Sequence, residues 1–332
     1  MSHARKTSRA ACAAILVALC CAFALSPAIT HGEQQSGLQM RMLPSALSDG
    51  EFWNLVTGFS EPGGSFSSDN FTSNEGQYPD IVAKLISSGR KGGAYLGVGP
   101  EQNFHYIVAV QPDIAFHIDI RRQAMIQHLM YKAIFELSAD RADFISLLFS
   151  RDRPEKLSSS ATLKHIWDGY GSIAASGDSF RVNLSRIADR LTRVHGFSLS
   201  DEDLVSLAYV YKAFYRLGPD ISYGGYGARD ASLSFVALTS ATDTASGTTR
   251  SFLATEESYG YIRDLQLRNL IVPIVGDFAG PRAIRSIADY LQRHGSRVNA
   301  FYVSNVESYL FQGGVAPQFY ANVATLPLDS PT

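Results

Sequence analysis

The sequence predicts a doubly wound α/β domain: a mostly parallel sheet assembled from two stretches of chain, with a large helical insertion between them. Three observations predict it. Short apolar runs recur at residues 93–99, 114–120, 270–276 and 298–304; the first and third close in glycine, the second in Asp119-Ile120 and the fourth in Ser304. Each of the first three runs is followed by helical periodicity, which is the strand–helix–strand rhythm of parallel pairing. Between the second and third runs lies about a hundred residues of helical pattern with no strand signal.

The elements follow in order. Arg5, Lys6 and Arg9 precede sixteen uncharged residues, 10–25, and then small residues at signal-peptidase spacing (Ala22-Phe-Ala24, Ser26-Pro-Ala28). This is the secretory pattern. Residues 1–28 are therefore read as a signal peptide, or as an N-terminal anchor if uncleaved, and the chain as exported: periplasmic, secreted, or held at the inner membrane. Cys12, Cys20 and Cys21 all fall in that segment, so the mature domain has no thiol. Residues 29–50 read as a linker and 51–328 as the domain. Phe52, Leu55, Val56 and Phe59 recur at helical spacing. Residues 60–77 form a long Gly, Ser, Asn and acid-rich segment. Pro79 opens a helix that ends near Gly89. Gly93–Gly99 reads as a strand, 103–110 as a helix, 114–120 as a second strand and 122–137 as a strong amphipathic helix.

The insertion, about 139–237, carries helices at 139–149, 161–167, 180–195 and 200–217. The last opens on Ser200-Asp-Glu-Asp203, a capping box. Residues 222–247 give little signal. The α/β pattern then resumes with a helix at 256–267, a strand at 270–276, a helix at 281–294, a strand at 298–304, and a last strand expected at 322–326.

Ligands of open parallel sheets sit outside the carboxyl ends of the strands. Gly97-Val-Gly99 ends the first strand, where glycine lets a ligand approach the backbone, and Asn103 follows in the first helical turn. Asp119 ends the second strand, twenty-two residues after Gly97, a separation that suits an acceptor for ribose hydroxyls. Arg121 and Arg122 follow; they read as partners of Asp119 or Glu136, or of a substrate carboxylate. Asp277 follows the third strand, and Asn305 and Glu307 the fourth. Glu61, Asp69, Asn70, Asn74 and Glu75, in the 60–77 segment, are candidates for a lid over the same edge.

Other chemistries are excluded. The eight histidines lack metal-ligand spacing, and His117, inside a strand, reads as a core side chain. There is no Gly-x-Ser-x-Gly elbow and no phosphate-binding Gly-x-x-x-x-Gly-Lys loop. A formal net charge of −2, with no basic run, does not suit a nucleic-acid binder.

Phe52-Trp53, Ser60-Glu-Pro-Gly-Gly64, Ser68-Asp-Asn70, Ser73-Asn-Glu75, Gly97-Val-Gly-Pro100, Asp119-Ile-Arg-Arg122, His128-Leu-Met-Tyr131, Val275-Gly-Asp-Phe-Ala-Gly-Pro281 and Ser304-Asn-Val-Glu307 resemble a group of uncharacterised bacterial proteins. Their fold is like that of class I S-adenosylmethionine (SAM)-dependent methyltransferases, that is, Rossmann-like. The resemblance implies Gly97 and Gly99 against the methionine moiety, Asp119 on the ribose, and Asp277 near the adenine or the methyl centre. Tyr95 stands where that pattern has an acid, and Glu101 where it has its third glycine.

Three functions fit the sequence. One is a methyltransferase-like enzyme using SAM, in which Asp277, Asn305 or Glu307 orients the acceptor. The second is an exported protein of the same fold that binds a small molecule without chemistry. The third docks a protein partner through the helical insertion. None calls for a metal.

Overall fold

The computed structural model describes residues 42–155, 157–227 and 233–328. The segment read as a signal or anchor, and the linker up to residue 41, lie outside the described residues.

The first half of the fold runs α1 (Asp49–Phe59), α2 (Tyr78–Ser87), β1 (Ala94–Gly97), α3 (Gln102–Val110), β2 (Ile114–Asp119) and α4 (Arg122–Leu137). Five helices follow: α5 (Arg141–Phe149), α6 (Leu163–Tyr170), α7 (Gly177–Asp189), α8 (Asp201–Leu217) and α9 (Phe235–Ser240). The chain returns through α10 (Glu256–Leu267), β3 (Ile271–Val275), α11 (Ala283–Arg293), β4 (Val298–Tyr302), α12 (Val306–Gln312) and α13 (Ala316–Val323).

The four strands form one sheet in the order β3-β2-β1-β4, and every pairing is parallel. β1 and β3 are buried at every position and β2 at all but its last, which is why they read as continuous apolar runs rather than alternating ones. β3 is an edge strand and so tolerates Pro273, which cannot donate to a ladder. The path from β1 through β2 to β3 steps one way across the sheet, and the path from β3 to β4 steps back. Right-handed crossovers therefore place α3 and α4 on one face and α11 on the other. Accordingly α3, α4 and α10 pack together, while α11 packs with α1 and α13.

α4 is the central helix of its layer. Thirteen of its sixteen residues are buried, Lys132 and Glu136 among them. Lys132 Nζ lies 2.8 Å from Glu136 Oε1 and donates to the Gln266 carbonyl at 2.6 Å. The other Glu136 oxygen meets His195 Nε2 at 2.7 Å, and His195 Nδ1 meets Asp49 at 2.8 Å. This chain of charges ties α4 to the turn after α7 and to the start of α1.

Four expectations are corrected. Residues 322–326 are not a strand: α13 occupies them up to Val323, and only Leu328 forms a parallel bridge, to Val298. The helix at 180–195 is α7 followed by a π-helical turn, Arg190–Val194. The end of the linker belongs to the fold, because Leu47 is buried and its N–H donates to the Arg268 carbonyl. Arg122 pairs with Asp203 of α8, in two bonds of 2.6 and 2.7 Å, rather than with Asp119 or Glu136.

Candidate functional site

The connections leaving β1 and β4, neighbours in the sheet, run to opposite faces, and a crevice opens where they part. A cleft of about 290 Å³ lies there. That is the lower end of the ~300–1,000 Å³ range of small-molecule sites. Each strand end contributes to its wall: Val98 and Gly99 after β1, Asp119 and Arg121 at β2, Gly276 and Asp277 after β3, and Ser304 and Asn305 after β4.

Residues 60–77 cross this edge as a strap fastened to all four strand ends. At β3, Glu61 N donates to the Val275 carbonyl at 2.8 Å. The Glu61 carboxylate also accepts from the N–H groups of Arg282 and Ala283 at 2.7 and 2.8 Å, capping α11 from a distance in sequence. At β2, Gly64 N donates to the Ile120 carbonyl, and Arg121 donates to the carbonyls of Ser68 and Asp69. After β1, Ser73 N donates to Glu101, and Ser73 Oγ bonds Gln102. At β4, the Glu75 carboxylate accepts from Tyr302 and Ser304. Phe71 and Thr72 are fully buried, so the strap is part of the core as well as its cover.

The glycine turn is built around Asn103. Its Nδ2 donates to the carbonyls of Val98, Gly99 and Pro100 at 2.8–3.0 Å, and its Oδ1 accepts from Tyr95 at 2.8 Å. A Cβ on Gly97 would lie 1.9 Å from that Oδ1. Gly97 thus makes room for Asn103, and neither lines the cleft. Gly99 does line it. Its φ is +84°, and a Cβ there would meet nothing within 4 Å, so its open side faces the cleft.

Behind Gly99, His128 Nε2 sits 2.9 Å from the Gly99 carbonyl, and His128 Nδ1 sits 2.9 Å from His117 Nδ1. The carbonyl requires an N–H at Nε2. His128 Nδ1 is then the acceptor, and His117 donates from its own Nδ1. Both rings are neutral: burial lowers the His128 pKa to about 4, and burial together with the neighbouring His128 holds His117 well below its ordinary value.

Asp119 and Arg121 form a closed pair on the cleft wall. Oδ1 accepts from the Arg121 N–H at 2.9 Å and from its Nε at 3.1 Å, and Oδ2 accepts from a terminal guanidinium nitrogen at 2.9 Å. The carboxylate keeps acceptor capacity for a ligand hydroxyl, since each oxygen offers two lone-pair positions.

Across the cleft, the Glu75–Tyr302 contact continues through Gln102 Nε2, which reaches Tyr302 at 3.1 Å and Tyr106 at 2.7 Å. Burial and the neighbouring Glu75 carboxylate hold the Tyr302 phenol far above its ordinary pKa, so it stays a donor. Ser304 follows β4 with φ +48° and Asn70 of the strap has φ +50°, so two non-glycine residues of the wall adopt the left-handed region. Glu101 is buried on the strap side, with Oε2 unpartnered, and burial raises its pKa to about 7.

Of the residues singled out in the sequence, Gly99, Asp119, Arg121, Asn70, Asn74, Glu75, Asp277 and Asn305 come together on the cleft wall. Five do not. Gly97 and Asn103 shape the turn, and Glu61 caps α11. Asp69 accepts from Tyr209 at 2.9 Å and Gln123 at 3.2 Å. Glu307 faces Tyr320, 3.0 Å from its hydroxyl. Tyr302, Gln102, Tyr223 and the rim residues Phe66 and Tyr309 carried no motif. Tyr302 had one faint signal: a polar-tipped residue in an apolar strand, in register with Gly97.

Among the described residues, no group of three or more His, Cys, Asp or Glu side chains could hold a metal ion, and no helix is long and apolar enough to cross a membrane. No curated protein matches the sequence. A family model does match, over residues 70–205 and 226–332, so that every strand and most of the cleft fall within it: the chain belongs to the family Domain of unknown function (DUF7790).

Proposed function

We propose that this is an exported protein of Rossmann-like, methyltransferase-like fold that binds a nucleoside-bearing small molecule, SAM or another nucleoside, in the cleft at the carboxyl edge of the sheet. The observation that carries the reading is the convergence of Gly99, Asp119 and Asp277 on one crevice at the point where the strand order reverses. The strand order β3-β2-β1-β4 supports the fold assignment, because it is the order of the first four strands of a doubly wound dinucleotide-type sheet. Gly99 leaves space for a ligand beside the backbone, and Asp119 retains one acceptor position, on Oδ2, for a ribose hydroxyl. Export rests on the basic, apolar, small-residue order of residues 1–28.

The test is ligand-induced stabilisation. Thermal unfolding is recorded with SAM, its demethylated product, NAD and free nucleosides. A ligand at 100 times its Kd adds about 2.7 kcal/mol, which moves the midpoint visibly. Asp119→Asn, which keeps an oxygen for Arg121, weakens the shift. The absence of any shift across the panel rejects the reading. Fractionation of cells checks export independently. If a ligand binds, incubation with SAM and measurement of its demethylated product separate a methyltransferase from a non-catalytic binder.

A further inference from the structure

We propose that the cleft selects a ligand carrying a positive charge, an ammonium or sulfonium group, with Glu75 as its counter-ion; this rests on the reading of the cleft as a small-molecule site. Three carboxylates line the cleft, Glu75, Asp119 and Asp277, against one guanidinium, Arg121. That guanidinium is spent on Asp119 and on two strap carbonyls. The Glu75 carboxylate accepts from the neutral hydroxyls of Tyr302 and Ser304, both at Oε1, and among the described residues Oε2 has no hydrogen-bond partner. Among the described residues, the Asp277 carboxylate accepts from the Ala279 N–H alone, at 2.9 Å. Among the described residues, neither carboxylate has a Lys, Arg or His partner.

Two acids without counter-ions in a partly enclosed, largely apolar cleft produce a focused negative potential. The aromatic residues on the wall, Phe66, Tyr223, Phe278, Tyr302 and Tyr309, add ring faces that attract cations. A phosphate or pyrophosphate would have to face Glu75 and Asp277 with, among the described residues on the cleft wall, no cation other than the paired Arg121 to receive it. The cleft is therefore built for a nucleoside with a cationic substituent rather than for a nucleotide.

The test uses the full chain and three ligands that differ at one position: adenosine, 5′-amino-5′-deoxyadenosine and adenosine 5′-monophosphate. The amine is expected to bind about tenfold tighter than adenosine, and the monophosphate more weakly than either. The amine's advantage should shrink as salt is raised from about 50 mM to about 500 mM. Glu75→Gln, whose amide oxygen still accepts from Tyr302 and Ser304, brings the ratio of amine to adenosine affinity close to one. Should that variant fail to fold, Asp277→Asn reports the same loss in part. Equal affinities for amine and adenosine, or tighter binding of the monophosphate, overturn charge selection while the nucleoside reading stands. If no nucleoside binds, phenethylamine and 2-phenylethanol replace the series. Amine-only binding that disappears in Glu75→Gln supports charge selection and rejects the nucleoside, and binding of neither compound overturns the proposal.

Discussion

Gly97 and Asn103 interlock: the Asn103 amide stands where the Cβ of any other residue at 97 would be, 1.9 Å from its oxygen. The glycine of a strand-end turn is commonly assigned to a ligand. Here its bareness serves the side chain that fastens the turn.

A double-mutant cycle follows from that fit. Gly97→Ala forces Asn103 out of place and costs about 1–3 kcal/mol. Asn103→Ala strips the side-chain donor from three carbonyls and costs a similar ~1–3 kcal/mol. In the Asn103→Ala background, Gly97→Ala is cheaper, since the nearest atom it would strike is gone and the Tyr95 ring, 2.7–2.8 Å from the new Cβ, is the contact that remains to give way. Urea unfolding of the four proteins measures the coupling, and additive losses contradict the interlock.

Glu61→Ala uncovers the first N–H groups of α11 and frees one end of the strap. A loss of about 1–3 kcal/mol is expected by urea unfolding. Glu61→Gln retains one acceptor and recovers part of it.

Glu101 makes stability fall between acid and neutral pH. Its pKa rises from an unfolded value of 4.5 to about 7, because burial opposes the charge. Between those values the folded chain holds a proton that the unfolded chain has released, so stability falls as pH rises from 4.5 to 7 and then levels off. The contribution is about 3 kcal/mol. Glu101→Gln keeps the bond to the Ser73 N–H and removes the charge, so it is expected to be more stable than the wild type at pH 8 and similar to it at pH 5. Equal behaviour at both values would place Glu101 in contact with water.

The α4 ion chain acts on the acid side. Burial alone would raise the Glu136 pKa, but the bond to His195 and the Lys132 charge outweigh it and hold the carboxyl below its ordinary value. Asp49, bonded to Asn269 and His195, is lowered as well. Each contributes stability that is present above its unfolded pKa, about 4.5 for Glu136 and about 3.8 for Asp49, and is lost as pH falls through the folded value. Glu136→Gln should flatten the acid limb of a plot of unfolding free energy against pH, while lowering the plateau because Lys132 stays buried without its partner.

Local signals in the sequence were strong where one element's own residues decide its form. α4 and α10 have the bounds their periodicity predicts, Arg122–Leu137 and Glu256–Leu267, and the capping box at Ser200 opens α8. The short apolar run at 322–326 misled because few residues separate a strand from the end of a helix; Pro317 in the first turn of α13 was the better sign. The cleft wall was legible as far as strand ends predict it. The roles of Glu61 and Asn103 were not, because most of their partners are backbone groups that no side-chain pattern announces. Tyr302 and Gln102 met only through tertiary packing.

The strap also fixes when in synthesis the cleft can exist. Its outer anchors join residues more than two hundred positions apart: Glu61 to Ala283 is a separation of 222, and Glu75 to Ser304 one of 229. A nascent chain holds β1, β2 and the glycine turn long before either anchor has emerged. Contacts so distant along the chain form late and slowly. Until Ser304 leaves the ribosome, the newborn protein has the floor of the cleft with its cover still unfastened, so the closed wall belongs to the finished molecule alone.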